Sequence, residues 1–381
     1  MIPISSKLPD VGTNIFTIMS GLAVEHGAIN LGQGFPDFPM DGRLHDAVYE
    51  AMRNGHNQYA PMAGHLPLNE SIAEKIFQSY GKMVDPRSEI TITPGGTYAI
   101  YTAFTTILQP GDEVIVFEPC YDSYIPNIEV NGARAVRIPL TLPDFRINWD
   151  AVRANINERT RGIIINSPHN PTGTMLRASD METLDLLTRD SRIMVVSDEV
   201  YEHMTYDGRS HESVLKYPTL FERSFVCFSF GKVYHCTGWK MGYCIAPKVL
   251  TAEFRKIHQF NAFSCNMPQQ VALSALLKDR SSYLELGPFL QQKRDLFISL
   301  MKDTRFDLLP VEGSYFMCAT YEQISDASDM DFAMRLTREV GVAVIPLSAF
   351  YLEKQDTKTI RFCFCKKTET LENAARKLAQ L

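Results

Sequence analysis

Residues 229–242 read Ser229-Phe-Gly-Lys-Val-Tyr-His-Cys-Thr-Gly-Trp-Lys-Met-Gly242. The stretch leading in, Ser224-Phe-Val-Cys-Phe-Ser229, is short, aromatic and β-branched, which predicts a buried strand. Gly231 breaks that strand, so Lys232 falls where a strand ends and the backbone turns. Lys240 follows between Trp239 and Met241, in a segment too apolar for an ordinary solvated face. Two readings compete for these lysines. They are surface cations with long stems lying on apolar ground, or Lys232 is a desolvated amine of lowered pKa that condenses with a carbonyl.

Outward from this stretch, residues 89 to 247 alternate strand and helix, which predicts a mostly parallel sheet covered on both faces. The expected strands are Ile90–Thr93, Glu113–Phe117, Ala133–Ile138, Gly162–Asn166, Arg192–Ser197, Ser224–Ser229 and Tyr243–Ala246. Between the first two, Ile100, Tyr101, Phe104, Ile107 and Leu108 keep a helical period from about Thr97 to Leu108. Beyond residue 247 helices are expected at Val249–Phe263, Pro268–Lys278 and Tyr283–Lys302. The tail changes pattern, with strands at Phe306–Leu309, Tyr315–Ala319, Val342–Ile345 and Thr359–Phe364, and helices at Asp331–Glu339 and Glu369–Leu381. The fold class expected is α/β: a large mostly parallel-sheet domain over residues 39–284, a smaller α/β domain over 285–381, and an arm over 1–38 joining the small domain. The arm carries a helix with apolar Ile15, Phe16, Met19, Leu22 and Ala23.

Ligands of open parallel sheets bind outside the carboxyl ends of the strands. Those ends give a specific set here. Pro94-Gly-Gly-Thr97 opens a helix, either an ordinary helix start or an anion site made by Gly96 and Thr97. Glu118-Pro-Cys-Tyr121 brings a ring, for packing or for stacking on a ligand. Ser167-Pro-His-Asn-Pro-Thr-Gly173 presents the Asn170 amide from a stiff loop. Ser197-Asp-Glu-Val-Tyr201 puts Asp198 at the end of an apolar strand, where a buried carboxylate needs a partner, with Tyr201 one turn on. Ser229 and Lys232 complete the set.

One ligand class uses every member: pyridoxal 5'-phosphate. Lys232 would hold its aldehyde as an imine, and Asp198 would keep the ring nitrogen protonated, making the ring an electron sink. Asn170 and Tyr201 would bind the ring oxygen, Tyr121 would stack on the ring, and Gly96, Thr97, Ser229 and Lys240 would take the phosphate. Arg361, inside the apolar run Thr359-Ile-Arg-Phe-Cys-Phe364, is either half of a structural ion pair or a bidentate clamp for a substrate carboxylate. Gly32-Gln-Gly34, in the loop Asn30–Pro39, is turn punctuation or a place where backbone approaches a ligand; it lacks the third glycine of a dinucleotide fingerprint.

Composition narrows the classes. A chain of 381 residues, 45% hydrophobic and 22% charged, is an ordinary globular protein of about two domains. A formal charge of −6 argues against nucleic acid. No apolar run reaches the ~20 residues of a membrane span, and Met1–Asp10 lacks an export pattern. The eight cysteines form no CxxC pair, so free thiols in a reducing cytoplasm are expected and no metal site is.

Asn170-Pro-Thr-Gly173, Ser197-Asp-Glu-Val-Tyr201, and Ser229-Phe-Gly-Lys232 with Thr237-Gly-Trp-Lys240 resemble the class I aminotransferases of the fold-type-I pyridoxal-phosphate superfamily, over nearly the whole chain. Leu31–Pro39, Asn57-Gln-Tyr59, Ala246-Pro247, His258-Gln259 and Ile360–Phe364 are similar to the kynurenine and methionine aminotransferase branch. Within it, Arg223-Ser-Phe, Phe254–Phe260 and Ile345-Pro-Leu-Ser348 resemble the bacterial methionine aminotransferases most.

The resemblance implies a homodimer with active sites at the interface, where Tyr59 of one subunit reaches the phosphate of the other. It matches Gly34, Asn170 and Arg361 to the substrate carboxylate, and Phe16 with Phe263 from the partner subunit to the side-chain pocket. The implied activity is ping-pong amino transfer from methionine and aromatic amino acids, including kynurenine, to a 2-oxo acid, with Lys232 as base and acid. The alternatives are a cysteine-S-conjugate β-lyase and a non-catalytic binding module. Two departures stand out: Lys240 where arginine is common, and Glu312-Gly-Ser-Tyr315 where Gly-Gly is usual.

Overall fold

Runs of Val, Ile and Phe too apolar to face water on either side become the central strands of a covered sheet. The computed structural model describes residues 4–381, so Met1–Pro3 of the expected arm lie outside the described residues. In chain order the strands are β1 (Ile29–Asn30), β2 (Ile90–Thr93), β3 (Glu113–Glu118), β4 (Arg134–Pro139), β5 (Thr160–Asn166), β6 (Met194–Asp198), β7 (Ser224–Ser229), β8 (Gly242–Ile245), β9 (Asp307–Leu308), β10 (Phe316–Thr320), β11 (Val342–Ala343), β12 (Ile345–Pro346) and β13 (Thr359–Cys363).

Seven of them form one sheet in the order β2-β8-β7-β6-β5-β3-β4. From β4 to β7 neighbours run parallel, whereas β8 is antiparallel to both β2 and β7. Side chains alternate between two cores, as the two-residue strand period requires. Val114, Val116, Ile164, Val196 and Phe225 pack with Ala99, Ala103 and Phe104 of one helix, while Ile115, Ile163, Ile165, Val195 and Val226 join the other core. That helix (Gly96–Ile107) starts at the carboxyl end of β2. Strands β3, β5, β6 and β7 also end on this edge, at Glu118, Asn166, Asp198 and Ser229.

A second, antiparallel sheet has the order β12-β13-β10-β9, and β1 pairs in parallel with β11. The run Val342–Ile345, expected as one strand, is therefore two. Val342 and Ala343 pair with Ile29 and Asn30, whereas Ile345 and Pro346 pair with Arg361 and Ile360. The expected helix Tyr283–Lys302 also divides, into Ser281–Leu284 and Leu286–Met301. Pro288 lacks the N–H that would have bonded to Leu284 and carried the first helix into the second. The expected helix Asp331–Glu339 is α-helical over Asp329–Arg335 and then widens into a π turn over Leu336–Val340. Two helices of the 40–88 region, Gly42–Arg53 and Leu66–Tyr80, were not among those expected.

The turn Glu312–Tyr315 is closed without a second glycine. Ser314 takes φ +60°, a cost usually borne by glycine. It is held there because its N–H donates to Met204 O at 2.9 Å and its carbonyl accepts from the Tyr206 hydroxyl.

Candidate active site

The carboxyl edge of the large sheet and the Asn30–Pro39 loop enclose a cavity of about 290 Å3. Phe16, Gly34, Gly96, Thr97, Tyr121, Asn170, Asp198, Tyr201, Ser229, Lys232, Lys240 and Arg361 all line it. Tyr59 and Phe263 do not. Tyr59 is 83% exposed and meets the half-exposed Phe263 edge to face, with ring centroids 5.5 Å apart.

Lys232 lies in the short helix Phe230–Val233 that continues β7. Its Nζ donates to the Tyr315 hydroxyl at 2.9 Å and approaches Gly34 O at 3.4 Å, while the Tyr315 hydroxyl itself donates to Gly34 O at 2.7 Å. No carboxylate forms an ion pair with it among the described residues. Desolvation therefore dominates, and the ammonium titrates at about 8, although the Cys365 and Cys363 thiols and Asp198 oppose the shift.

Asp198 is 4% exposed. The Tyr124 hydroxyl donates to its Oδ2 at 2.5 Å and the Val200 N–H to its Oδ1 at 3.3 Å. Burial still outweighs these donors and pushes the carboxyl up to about 6. The side chain of Asn166 ties this strand end to the next loop. Its Nδ2 donates to Asp198 O at 2.8 Å, and its Oδ1 accepts from the Asn170 N–H at 2.9 Å.

Arg361 is 1% exposed, and its expected alternative as half of an ion pair does not occur among the described residues. Nη1 donates to Asn170 Oδ1 at 2.7 Å and Nη2 to Gly32 O at 2.8 Å, leaving Nε without a partner. The guanidinium stacks 3.9 Å from the Phe316 ring centroid, with Phe350 and Phe16 at 4.9 and 5.2 Å. A buried cation with three aromatic neighbours and an orphan N–H has the chemistry to receive a planar anion.

The helix start that lines the cavity offers donors that suit an anion. The helix Gly96–Ile107 begins there with Gly95 as its cap and no side chain satisfying its first N–H groups. A Cβ on Gly96 would stand 2.8 Å from Val200 Cγ1, so only glycine admits this approach. Lys240 corrects the expectation of an apolar enclosure: it is exposed. A backbone φ of +52° turns it out of the Thr237–Trp239 helical turn, with Nζ 3.6 Å from the position of a Gly95 Cβ.

Tyr121 contacts this end through Thr97, oxygen to oxygen at 3.5 Å, and stands edge-on to Tyr124. Tyr201 packs edge to face on Tyr315, 5.3 Å between centroids. Three contributors escaped the sequence reading. Tyr124 lies three residues after Tyr121, a spacing that could have exposed it. Phe316 lines the cavity through the pairing of β10 with β13, and Tyr315, just before β10 and tied by its carbonyl to the Phe364 N–H, meets Lys232 beside it.

The sequence profile of the family "Aminotransferase class I and II" matches residues 26–378. The chain is 46% identical to methionine aminotransferase of Escherichia coli strain K12, covering 99% of this chain and 98% of that protein. It is 36% identical to a probable N-succinyldiaminopimelate aminotransferase of Mycobacterium tuberculosis (99% and 98% covered), and 30% identical to kynurenine–oxoglutarate transaminase of Dictyostelium discoideum (99% and 96% covered). A crystal structure of an Escherichia coli protein with methionine aminotransferase function superposes with a TM-score of 0.98 over 100% of both chains, at 46% identity. The half-buried lysine, the carboxylate held by tyrosine and the arginine with an orphaned N–H thus stand in a known frame: the chain belongs to the class I and II aminotransferases.

Proposed function

We propose that this aminotransferase moves the amino group of methionine and of aromatic amino acids, kynurenine among them, to a 2-oxo acid in two half-reactions on pyridoxal 5'-phosphate. The observation that carries the reading is a single cavity lined by the Lys232 amine and the Arg361 guanidinium, neither paired with a carboxylate among the described residues, together with the desolvated Asp198.

The residues fit that cofactor. The helix start at Gly96 and Thr97, Ser229 and the Lys240 cation suit a phosphate; Asp198 suits a protonated ring nitrogen, Asn170 and Tyr201 a ring oxygen, and Tyr121 a ring face. When bound, pyridoxal phosphate supplies an aldehyde for amines and a pyridinium ring that withdraws electrons from the amino-bearing carbon. Tyr124 keeps one oxygen of Asp198 occupied, so the carboxylate is oriented for the cation it lacks. Lys232, titrating at about 8, has a substantial neutral fraction near neutral pH and can take the donor's Cα proton and return it. The hydroxyl of Tyr315 holds the amine in place beside Gly34. Arg361, with Asn170 and Gly34, binds the donor carboxylate and fixes the Cα–H toward Lys232.

The side-chain end of the cavity selects the donor. Phe16 of the arm helix lines it, and the stretch Ile15-Phe-Thr-Ile-Met19 carries no charge, so a second carboxylate would find no partner there. Methionine, unbranched and polarizable, adapts to aromatic walls. Half-reaction rates with single amino acids test this reading. Methionine, phenylalanine, tyrosine and kynurenine should turn over well, and aspartate should be poorer by at least ~10²-fold in kcat/KM. Aspartate matching methionine would overturn the pocket assignment.

We further propose a homodimer in which Tyr59 and Phe263 complete the partner's site. The exposure of Tyr59 and Phe263, aromatic rings that meet at the surface, supports it. Mixing inactive Lys232→Ala with inactive Tyr59→Ala should restore some activity in the mixed dimer. The division at residues 38 and 284 is proposed from the sheets, the arm strand β1 pairing with β11 beside the smaller sheet. No helix of the described residues is long and apolar enough to cross a membrane. Eight unpaired cysteines are in keeping with a cytoplasmic site of action.

A further inference from the structure

Cys363 and Cys365 lie at the end of β13, one residue apart, with their sulfurs 3.2 Å from each other. Both are fully buried. The chain curls there, the Lys366 N–H donating to Phe364 O at 2.8 Å, so the two thiols share one side. They sit at the seat of the loop that faces Lys232. The Cys363 N–H donates to Leu31 O at 2.7 Å, and the Lys366 amine donates to Phe35 O at 2.7 Å and Gln33 O at 3.4 Å. Arg361 is two residues upstream on the same strand.

We propose that Cys363 and Cys365 form a reversible dithiol–disulfide site, oxidised by hydrogen peroxide, whose closure weakens donor binding by shifting Arg361 and the Gly32–Phe35 loop. The effect on binding rests on the reading of Arg361 as the carboxylate clamp; the site itself does not. Burial opposes ionisation of Cys363, but the Cys365 S–H and the charges of Lys366 and Arg361 outweigh it and lower its pKa. Cys365, desolvated and facing that thiolate, is pushed well up. One proton is therefore shared by a thiolate and a thiol, the arrangement that attacks peroxide.

The thiolate sulfur of Cys363 takes one peroxide oxygen as the O–O bond breaks, giving a sulfenic acid and a hydroxide that is protonated to water. The Cys365 sulfur then attacks the sulfenic sulfur and loses its proton. The S–S bond forms as the S–O bond breaks, and the second oxygen leaves as water. Two electrons pass from the dithiol to peroxide. The sulfurs must close from 3.2 Å to a bond of about 2.05 Å. The backbone carrying Arg361 and Lys366 takes up that movement.

The test treats the holoenzyme with hydrogen peroxide and reads intact mass without reductant alongside donor kinetics. A mass lower by about 2 Da, mapped to the peptide holding both cysteines, is expected with a methionine KM raised about tenfold and reversed by dithiothreitol. Cys363→Ser and Cys365→Ala should each lose both responses. Iodoacetamide, too bulky for the closed site, should leave the pair unlabelled. An unchanged mass, or activity lost in the variants as in the wild type, overturns the site. A disulfide that leaves KM unchanged overturns the coupling to donor binding. Arg361→Lys separates the two readings: if it leaves KM unchanged while peroxide still raises it, the clamp assignment fails and the dithiol site stands.

Discussion

The Tyr124 hydroxyl donates to Asp198 Oδ2 at 2.5 Å, and it is the only side chain among the described residues that hydrogen-bonds this buried carboxylate. Burying this carboxylate costs stability, and the Tyr124 bond returns only part of it. Folded, the carboxyl titrates at about 6 against 3.8 for the free group, because burial exceeds what Tyr124 and Val200 return.

The folded form therefore binds the extra proton between those values. Stability of the apoenzyme falls as pH rises from about 4 to about 6, by ~3 kcal/mol for a shift of about two units, and stays level above. Asp198→Asn should remove that slope and be the more stable apoprotein at pH 7.5, while losing several powers of ten in turnover. Urea midpoints across pH check it; identical slopes in wild type and variant would show that Asp198 is not the titrating group.

Lys232 titrates at about 8 instead of 10.5. Covalent capture of pyridoxal phosphate by the apoenzyme should therefore accelerate about tenfold per pH unit up to ~8 and then level off. Lys232→Ala should lose borohydride-stable cofactor and nearly all turnover. Lys232→Arg should fail equally, since a guanidinium stays charged. A rate still climbing at pH 10 would mean an unperturbed amine.

A strap ties the segment beside Tyr121 to the arm helix that carries Phe16. Asn14 Nδ2 donates to the Asp122 carboxylate, next in sequence to Tyr121, and Asn14 Oδ1 caps the arm helix Ile15–Glu25 by accepting from the Phe16 N–H at 2.7 Å. Asn14→Ala removes both bonds. It should raise the methionine KM about 5–10-fold with kcat within twofold, because the Phe16 wall is loosened while Lys232 is untouched. Asn14→Asp keeps the cap but sets two carboxylates together, and should be no better than alanine. Unchanged KM in both variants would leave the strap without a role in donor binding.

Lys75 and Glu202 form an ion pair whose side chains are 3% and 2% exposed, closed by the Tyr80 hydroxyl donating to Glu202 at 2.6 Å and by Tyr243 accepting from Lys75 at 2.9 Å. Burial raises the glutamate, but Lys75, His203 and Tyr80 outweigh it and bring it to about 2. Its contribution is thus held above about pH 4.5 and lost as pH falls toward 2. Lys75→Met should cost ~3–5 kcal/mol in chemical denaturation by stranding the carboxylate, and Lys75→Met with Glu202→Leu should recover much of it.

Strand and helix periods in residues 89–247 were plain because both faces of the sheet are buried, so each strand is a continuous apolar run. The edge of the fold was less legible. Val342–Ile345 reads as one strand, yet which neighbour each residue pairs with depends on where Ile29 and Arg361 arrive. Residues 42–80 carry two helices that packing selects and that no motif announced. The strand-end chemistry was readable for a related reason: in a parallel sheet the carboxyl ends share one edge, so Asn170, Asp198, Ser229 and Lys232 had to converge.

By itself, then, the sequence determined the parallel sheet, the edge at which chemistry gathers and the residues delivered there by strand ends, since these follow from local periods and chain direction. Tertiary structure alone decided the groups that arrive from afar. Tyr315, just before β10, reaches Lys232 across 83 residues of chain, Tyr124 reaches Asp198 across 74, and Arg361 has Phe16, Phe316 and Phe350 for neighbours and no acid paired with it among the described residues. Which polar atom is satisfied and which is left open is a property of three-dimensional packing: among the described residues Arg361 Nε has no partner, and the Lys232 amine has neutral acceptors but no carboxylate.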